Sequence, residues 1–339
     1  MIPVNEPLLT EADYASVMGA LRSGWISGAG PHIEAFEARW ANYCGRAHGI
    51  AVANGSVALQ VAVSLLDLQP GDEVILPTFT IISCAVPILL AGARPVVVDC
   101  DPLTWTMDVA QVESRITPRT RAIMAVHIYG HPVDMDPLLE IAERHNLQVV
   151  EDAAEAHGAE YRGRRAGSFG TSSCFSFYAN KLVTTGEGGM LLVDEDRLAE
   201  HARSLRNLGF QPERRFLHTE LGFNFRLTNL QAALGLAQID RMDDIVARKR
   251  RIGQAYTERL SEMPGIELQV QQAWARGVYW MYGLVVREET GLDAAELAKR
   301  LKQRGVETRP FFLGMHEQPV LRERGLFAGE SYPVAERIA

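Results

Sequence analysis

The sequence predicts an α/β protein built on a mostly parallel sheet, followed by a smaller α+β unit. Two observations carry this expectation. Short β-rich runs alternate with helical stretches through the first two-thirds of the chain, as in strands joined by crossover helices. After about residue 228 that alternation stops, and a long amphipathic run leads into shorter mixed elements. The expected division is a large domain over 1–235 and a small C-terminal one over 236–339.

The elements follow in order. "AHGIAVA" (47–53) reads as a buried strand that opens into a helix near Gly55. "DEVILP" (72–77) leads into "TIISCAVPILLAG", and "ARPVVVD" (93–99) follows. "TRAIMAVHIYG" (120–130) precedes a helix starting near Asp134, and "LQVVEDAA" (147–154) is a further buried strand. Cys174–Tyr178 is another, and Lys181 stands just beyond it, ahead of Gly186, Gly188 and Gly189. The stretch 228–260 has apolar residues at helical spacing throughout and reads as one long helix. "IELQV", "YWMYGLVV", a helix over 293–304 and "VETRPFF" complete the smaller unit.

Composition excludes several classes. The 339 residues are 47% hydrophobic and 22% charged, with a net charge of −8. No apolar run approaches the ~18 residues of a membrane span. The first residues lack a basic segment followed by an apolar core, so no secretion signal is expected. Basic residues are dispersed, apart from "ARKRR" (247–251) on a helical pattern, so no nucleic-acid footprint is evident. The four cysteines (Cys44, Cys84, Cys100, Cys174) form no disulfide framework, which points to a reducing cytoplasm. His127 and His131 have i, i+4 spacing, but Gly130 and Pro132 forbid the helix that a shared metal would need.

In an open α/β sheet, ligands collect at the carboxyl ends of the strands, and there the chemistry concentrates. Asp152 ends one strand. Asn54-Gly55-Ser56 follows another and opens a helix whose first N–H groups suit a phosphate. Phe79 follows a third, where a ring can lie flat on a ligand. Ser176 lies five residues before Lys181 and offers a second phosphate contact. A phosphate cradle, an aromatic platform, a carboxylate and an amine form the set that pyridoxal phosphate requires. The lysine forms a Schiff base with the aldehyde, and the carboxylate keeps the ring nitrogen protonated so that the ring accepts electrons. A displaced lysine can then move protons between carbon atoms.

The chain resembles the DegT/StrS family of sugar aminotransferases. The matching motifs are "WISGAGPHIEAFE", "VANGSVALQVAV", "GDEVILPTFTIISCAVPILLAGARPVVVD", "VHIYGHPVDMDPL", "VVEDAAEAHGA", "GSFGTSSCFSFYANK" and "GFNFRLTNLQAALGLAQ". The resemblance implies the fold type I architecture of aspartate aminotransferase, with Lys181 as the Schiff-base lysine and Asp152 on the pyridine nitrogen. It places Glu155 where the family has a glutamine or similar group near the cofactor ring. It stacks Phe79 on that ring and puts Gly55, Ser56 and Ser176 on the phosphate. Asn224 would reach the phosphate of a neighbouring subunit, which implies a homodimer. Substrate contacts are expected from Trp25, His127, Arg309 and His316.

Within the family, "ANKLVTTGEGG" and "RPFFLGMHEQP" look most like the branch of GDP-perosamine synthases. Those enzymes use L-glutamate to aminate the C4 ketone of a nucleotide-linked 4-keto-6-deoxy sugar, toward the deoxyamino sugars of lipopolysaccharide O-antigens. A nearby branch aminates C8 of an octulosonate sugar, and the motifs do not separate the two. A pyridoxal-dependent sugar 3-dehydratase would carry histidine in place of Lys181. A non-catalytic regulator would be expected to have lost Lys181 or Asp152. The chain stops at "ESYPVAERIA", where the family continues into a last strand and helix, so the small domain is expected to be incomplete.

Overall fold

A computed structural model describes every residue except Pro212, Glu213 and Arg215. Helices α1 (Glu11–Ser23) and α2 (Pro31–Cys44) precede β1 (His48–Val52), α3 (Gly55–Ser64), β2 (Glu73–Pro77), α4 (Val86–Leu90) and β3 (Arg94–Val98). Then come α5 (Val109–Val112), β4 (Thr120–Val126), α6 (Met135–Arg144) and β5 (Gln148–Asp152). The short strands β6 (Glu160–Tyr161) and β7 (Arg164–Arg165) lead to β8 (Ser172–Ser176), β9 (Gly189–Val193) and α7 (Asp196–Arg206).

The central sheet has seven strands in the order β1-β9-β8-β5-β4-β2-β3. The pairs β2–β3, β2–β4, β4–β5 and β5–β8 are parallel. Only β9 runs the other way, antiparallel to both β8 and β1. The sheet is therefore mostly parallel, and the chain reverses directly after β8. Residues 177–188 form that reversal, so Lys181 stands at the edge where β2, β4, β5 and β8 also end. Along β8 the side chains alternate between two cores: Cys174 packs with the α3 side and Phe175 with the α2 side. Both faces of the sheet are covered, as a parallel sheet demands.

The run 228–260 is two helices, not one. α8 (Asn229–Ile239) ends at Asp240, and α9 (Met242–Leu260) begins after Arg241, whose φ of −110° and ψ of 11° leave the helical region. Arg241 leaves the helical path to place its guanidinium 2.6 Å from the buried Asp13 carboxylate of α1. Apolar periodicity runs through the break, so it carried no sign of it. The expected division at residue 235 falls inside α8, and a Cβ added at Gly235 would meet the Phe36 ring of α2 at 2.6 Å.

Beyond α9, β10 (Ile266–Leu268) pairs with β12 (Leu284–Val286), while β11 (Ala275–Arg276) joins β6 and β7. Residues 278–281 are not strand. They dock on the turn after β4, where Val278 N–H donates to Gly130 and Trp280 N–H to Tyr129. α10 (Ala294–Gln303), α11 (Pro319–Arg322) and α12 (Pro333–Ile338) follow. The Asp99 carboxylate after β3 accepts from Val334 and Ala335 N–H at 2.9 and 3.0 Å, which seats the start of α12. Among the described residues no helix is long and apolar enough to cross a membrane.

Candidate active site

Beyond β8, Phe177 N–H donates to Gly188 C=O, Thr185 N–H to Phe177 C=O, and Lys181 N–H to Tyr178 C=O. These bonds fold the reversal tightly and turn the lysine inward. Its side chain is only 9% exposed. The ammonium lies 3.9 Å from Glu155 Oε1 and 3.6 Å from the centroid of the Trp280 ring. Burial pulls the lysine below its ordinary value, against the opposing pull of Glu155 and Asp152. A buried amine of lowered pKa is the property a nucleophilic lysine needs.

Glu155 follows β5 by three residues. Burial pushes its carboxyl up to about 7, opposed first by the Lys181 charge and then by the Tyr129 N–H, which donates to Oε2 at 2.7 Å. Asp152 ends β5 itself and is buried. Ala154 N–H donates to its Oδ1 at 3.0 Å and the Cys84 thiol to its Oδ2 at 3.2 Å. Each oxygen therefore retains acceptor capacity for a further donor.

The start of α3 lies beside this group. Asn54 caps the helix, its Oδ1 accepting from Val57 N–H at 2.9 Å. First-turn N–H groups have no acceptor inside a helix, so those of Gly55 and Ser56 are available to an anion. A Cβ on Gly55 would come 2.7 Å from the Ser176 Cβ, so glycine lets the helix start close against the end of β8. Ser176 Oγ accepts from Tyr178 N–H, and Ser56 Oγ lies 2.8 Å from Ser83 Oγ. A hollow of about 210 Å³ opens there, lined in part by Ser56, Ser83 and Phe225.

The structure thus gathers Lys181, Asp152, Glu155, Gly55, Ser56 and Ser176 at one edge of the sheet. It corrects three other expectations. Phe79 offers no free ring face: it is fully buried among Tyr129, Phe311 and Phe312, with centroids 5.8–6.4 Å away. Ile81, two residues on, is the partly exposed apolar side chain of that turn. His127 is wholly buried, bonded to Glu151 Oε2 at 2.9 Å and accepting from Val133 N–H at 3.1 Å. His316 is buried between Thr78 Oγ1 at 2.8 Å and Glu336 Oε1 at 3.1 Å. Both histidines spend their ring nitrogens on the protein and have none left for a substrate. Trp25, Asn224 and Arg309 are exposed, Arg309 beside Glu307 at 3.6 Å.

Two residues of the site were not recognised from the sequence. Trp280 covers the Lys181 ammonium, and its Nε1 donates to Asn180 C=O at 2.9 Å. It lies in "YWMYGLVV", where the apolar run reads as a strand and gives no sign of contact with residue 181. Cys84 holds Asp152, and a lone cysteine in an apolar run signals only burial. Among the described residues, no group of three His, Cys, Asp or Glu side chains is placed to hold a metal ion.

The donor set fits pyridoxal phosphate: a buried amine of lowered pKa, a fixed carboxylate, and a helix start flanked by two serine hydroxyls. Asn180 Oδ1, next to the lysine, is buried with no hydrogen-bond partner among the described residues.

The description DegT/DnrJ/EryC1/StrS aminotransferase family matches residues 7–339. GDP-perosamine synthase of Caulobacter vibrioides is 46% identical over 94% of this chain and 86% of its own length. GDP-perosamine synthase of Escherichia coli O157:H7 is 39% identical over 99% and 90%. Among solved structures, Streptomyces venezuelae DesV, in complex with a ketimine intermediate, superposes with a TM-score of 0.89 at 38% identity, over 97% of this chain and 87% of that one. The aminotransferase TlmJ of Streptoalloteichus hindustanus gives 0.92 at 32%, over 100% and 91%.

Proposed function

The chain belongs to the DegT/DnrJ/EryC1/StrS aminotransferase family and is a pyridoxal-phosphate-dependent sugar aminotransferase; on that premise we propose that it moves the amino group of L-glutamate onto the keto carbon of a nucleotide-linked 4-keto-6-deoxy sugar. The observation that supports this sugar is the 46% identity with a GDP-perosamine synthase across nearly the whole chain. The C8 amination of an octulosonate sugar stays the second candidate, because no residue of the described site distinguishes the two acceptors. Lys181 argues against the 3-dehydratase reading, and Lys181 with Asp152 against a non-catalytic one.

Bound here, pyridoxal phosphate supplies the electron sink of transamination and carries the amino group between the two substrates. Lys181 would hold the cofactor covalently and, once displaced, its Nζ could give and take the proton at the reacting carbon. Asp152, its carboxylate fixed by the Cys84 thiol and Ala154 N–H, would pair with the ring nitrogen and favour its protonated form. Gly55 and Ser56 N–H, with the Ser56 and Ser176 hydroxyls, bind the phosphate. The exposed Asn224 reaches the corresponding phosphate in a second copy of the chain, so the working unit is a homodimer. Four buried, unbridged cysteines suit a reducing cytoplasm. The test is an assay of purified protein with L-glutamate against a panel of nucleotide-linked and free keto sugars. Turnover of GDP-4-keto-6-deoxymannose above the rest is expected, and preference for a free octulosonate would move the assignment to the second branch.

A further inference from the structure

We propose that Glu155 is the positioning partner of Lys181, holding it as an ammonium folded against Trp280 and taking its proton when the free amine is needed. The inference rests on the function above, since only a lysine with chemistry to perform needs a proton acceptor.

The four residues close a loop. Glu155 Oε1 faces the lysine at 3.9 Å, while Oε2 accepts from Tyr129 N–H at 2.7 Å. Tyr129 has φ of 54°, a left-handed conformation that a non-glycine residue keeps only when its surroundings impose it. Its C=O accepts from Trp280 N–H at 3.0 Å. The Trp280 indole N–H donates to Asn180, the residue before Lys181, and the ring lies over the ammonium. One carboxylate thus fixes both the charge beside the lysine and the turn that seats its aromatic cover.

Burial favours the neutral form of both partners, and each partner's charge favours the other's ionised form. The further groups facing the pair are Asp152, which supports the ammonium and opposes ionisation of Glu155, and His157, held neutral by burial at about 3. The Cys84 thiol and the Tyr129 phenol are raised by burial and stay protonated. The proton can therefore pass from nitrogen to oxygen with no change in net charge. An N–H bond breaks, an O–H bond forms, and the electron pair stays on Nζ. The two atoms must close by about 1 Å, or the proton must pass through one water.

Glu155→Gln separates charge from shape, because an amide oxygen still accepts from Tyr129 N–H but carries no charge. The experiment uses cofactor-free protein, prepared with hydroxylamine, and limiting acetic anhydride at a series of pH values. Mass spectrometry of the Lys181 peptide gives the labelling midpoint. Removing the anion that favours the ammonium should lower that midpoint by about one pH unit or more. Borohydride trapping of added pyridoxal phosphate should shift the same way, with capture persisting to lower pH in the variant. Glu155→Asp, with its carboxylate one methylene further back, should move the midpoint in the same direction by less. An unchanged midpoint in whichever variant keeps the native circular dichroism spectrum overturns the proposal. Wild-type protein that labels as expected but captures no pyridoxal phosphate leaves the proton pair standing and overturns the function instead.

Discussion

The Cys84 thiol donates to Oδ2 of Asp152 across 3.2 Å, tying the turn after β2 to the end of β5. Burial holds the thiol well above its ordinary value, so it remains a donor and not a thiolate beside a carboxylate. Thr80 Oγ1 lies 3.5 Å from the same sulfur, and Ala154 N–H holds the other carboxylate oxygen. The orientation of Asp152 is therefore set by the Cys84 thiol on one oxygen and the Ala154 N–H on the other.

Removing that donor should be felt at the cofactor. A hydrogen bond to a charged group contributes ~1.5–3 kcal/mol, so Cys84→Ala should weaken pyridoxal phosphate binding by roughly tenfold or more. Cys84→Ser keeps a donor of similar size and should recover most of the loss. Fluorescence titration of the cofactor-free protein reads both. Wild-type affinity in the alanine variant would show that the thiol merely fills space.

Lys181→Ala should abolish the yellow colour of a covalently held cofactor and, with it, turnover. Asp152→Asn should keep the cofactor and lose a factor on the order of 10²–10³ in rate, the usual cost of one electrostatic contact aimed at developing charge. Absorbance spectra and steady-state rates of the two variants check this. Undiminished turnover in either one would remove that residue from the mechanism.

How far the sequence reached follows from which contacts are local. Asp152, Ser176 and Lys181 were legible because each sits at the end of an apolar run, and a strand end has only one direction to face. The reversal of β9 was not, since a buried strand reads the same in either direction. His127 and His316 look functional when seen as polar residues among aromatics. Their partners, Glu151 and Thr78, stand 24 and 238 residues away and only the folded chain brings them near. Phe79 failed for the same reason: Phe311 and Phe312, which cover it, come from the far end of the chain. Nothing local marks Trp280, because the cation it covers lies in another part of the sequence.

His127→Ala should act on stability, not on substrate binding. Nδ1 accepts from Val133 N–H, so the proton sits on Nε2 and a neutral ring donates to Glu151. Glu151 also accepts from Gly167 and Phe169 N–H, which pins the loop before β8. Losing the ring removes one donor from a buried carboxylate and leaves a cavity, a cost on the order of 2–4 kcal/mol. Urea denaturation should show it, while KM for both substrates in the folded fraction stays at the wild-type value. A raised KM with unaltered stability would restore His127 as a substrate contact.

Arg309, like Trp25, is an expected substrate contact that the structure leaves exposed. Its side chain is 70% exposed, and its neighbour Glu307 is itself occupied by Val4 N–H at 3.2 Å. An exposed pair of this kind contributes at most about 1 kcal/mol to stability, so Arg309→Ala should fold and melt like the wild type. Any loss of function in it would then come from the missing guanidinium. A planar guanidinium suits both anions that the proposed reaction would present in turn, the carboxylates of glutamate and a phosphate of the sugar nucleotide. The variant should raise KM for at least one of the two substrates by roughly tenfold, the loss of ~1.4 kcal/mol of binding, while the cofactor spectrum is retained. Arg309→Lys, a point charge without the fork, should recover only part of it. Unchanged KM values for both substrates in the alanine variant would leave Arg309 a solvated surface residue.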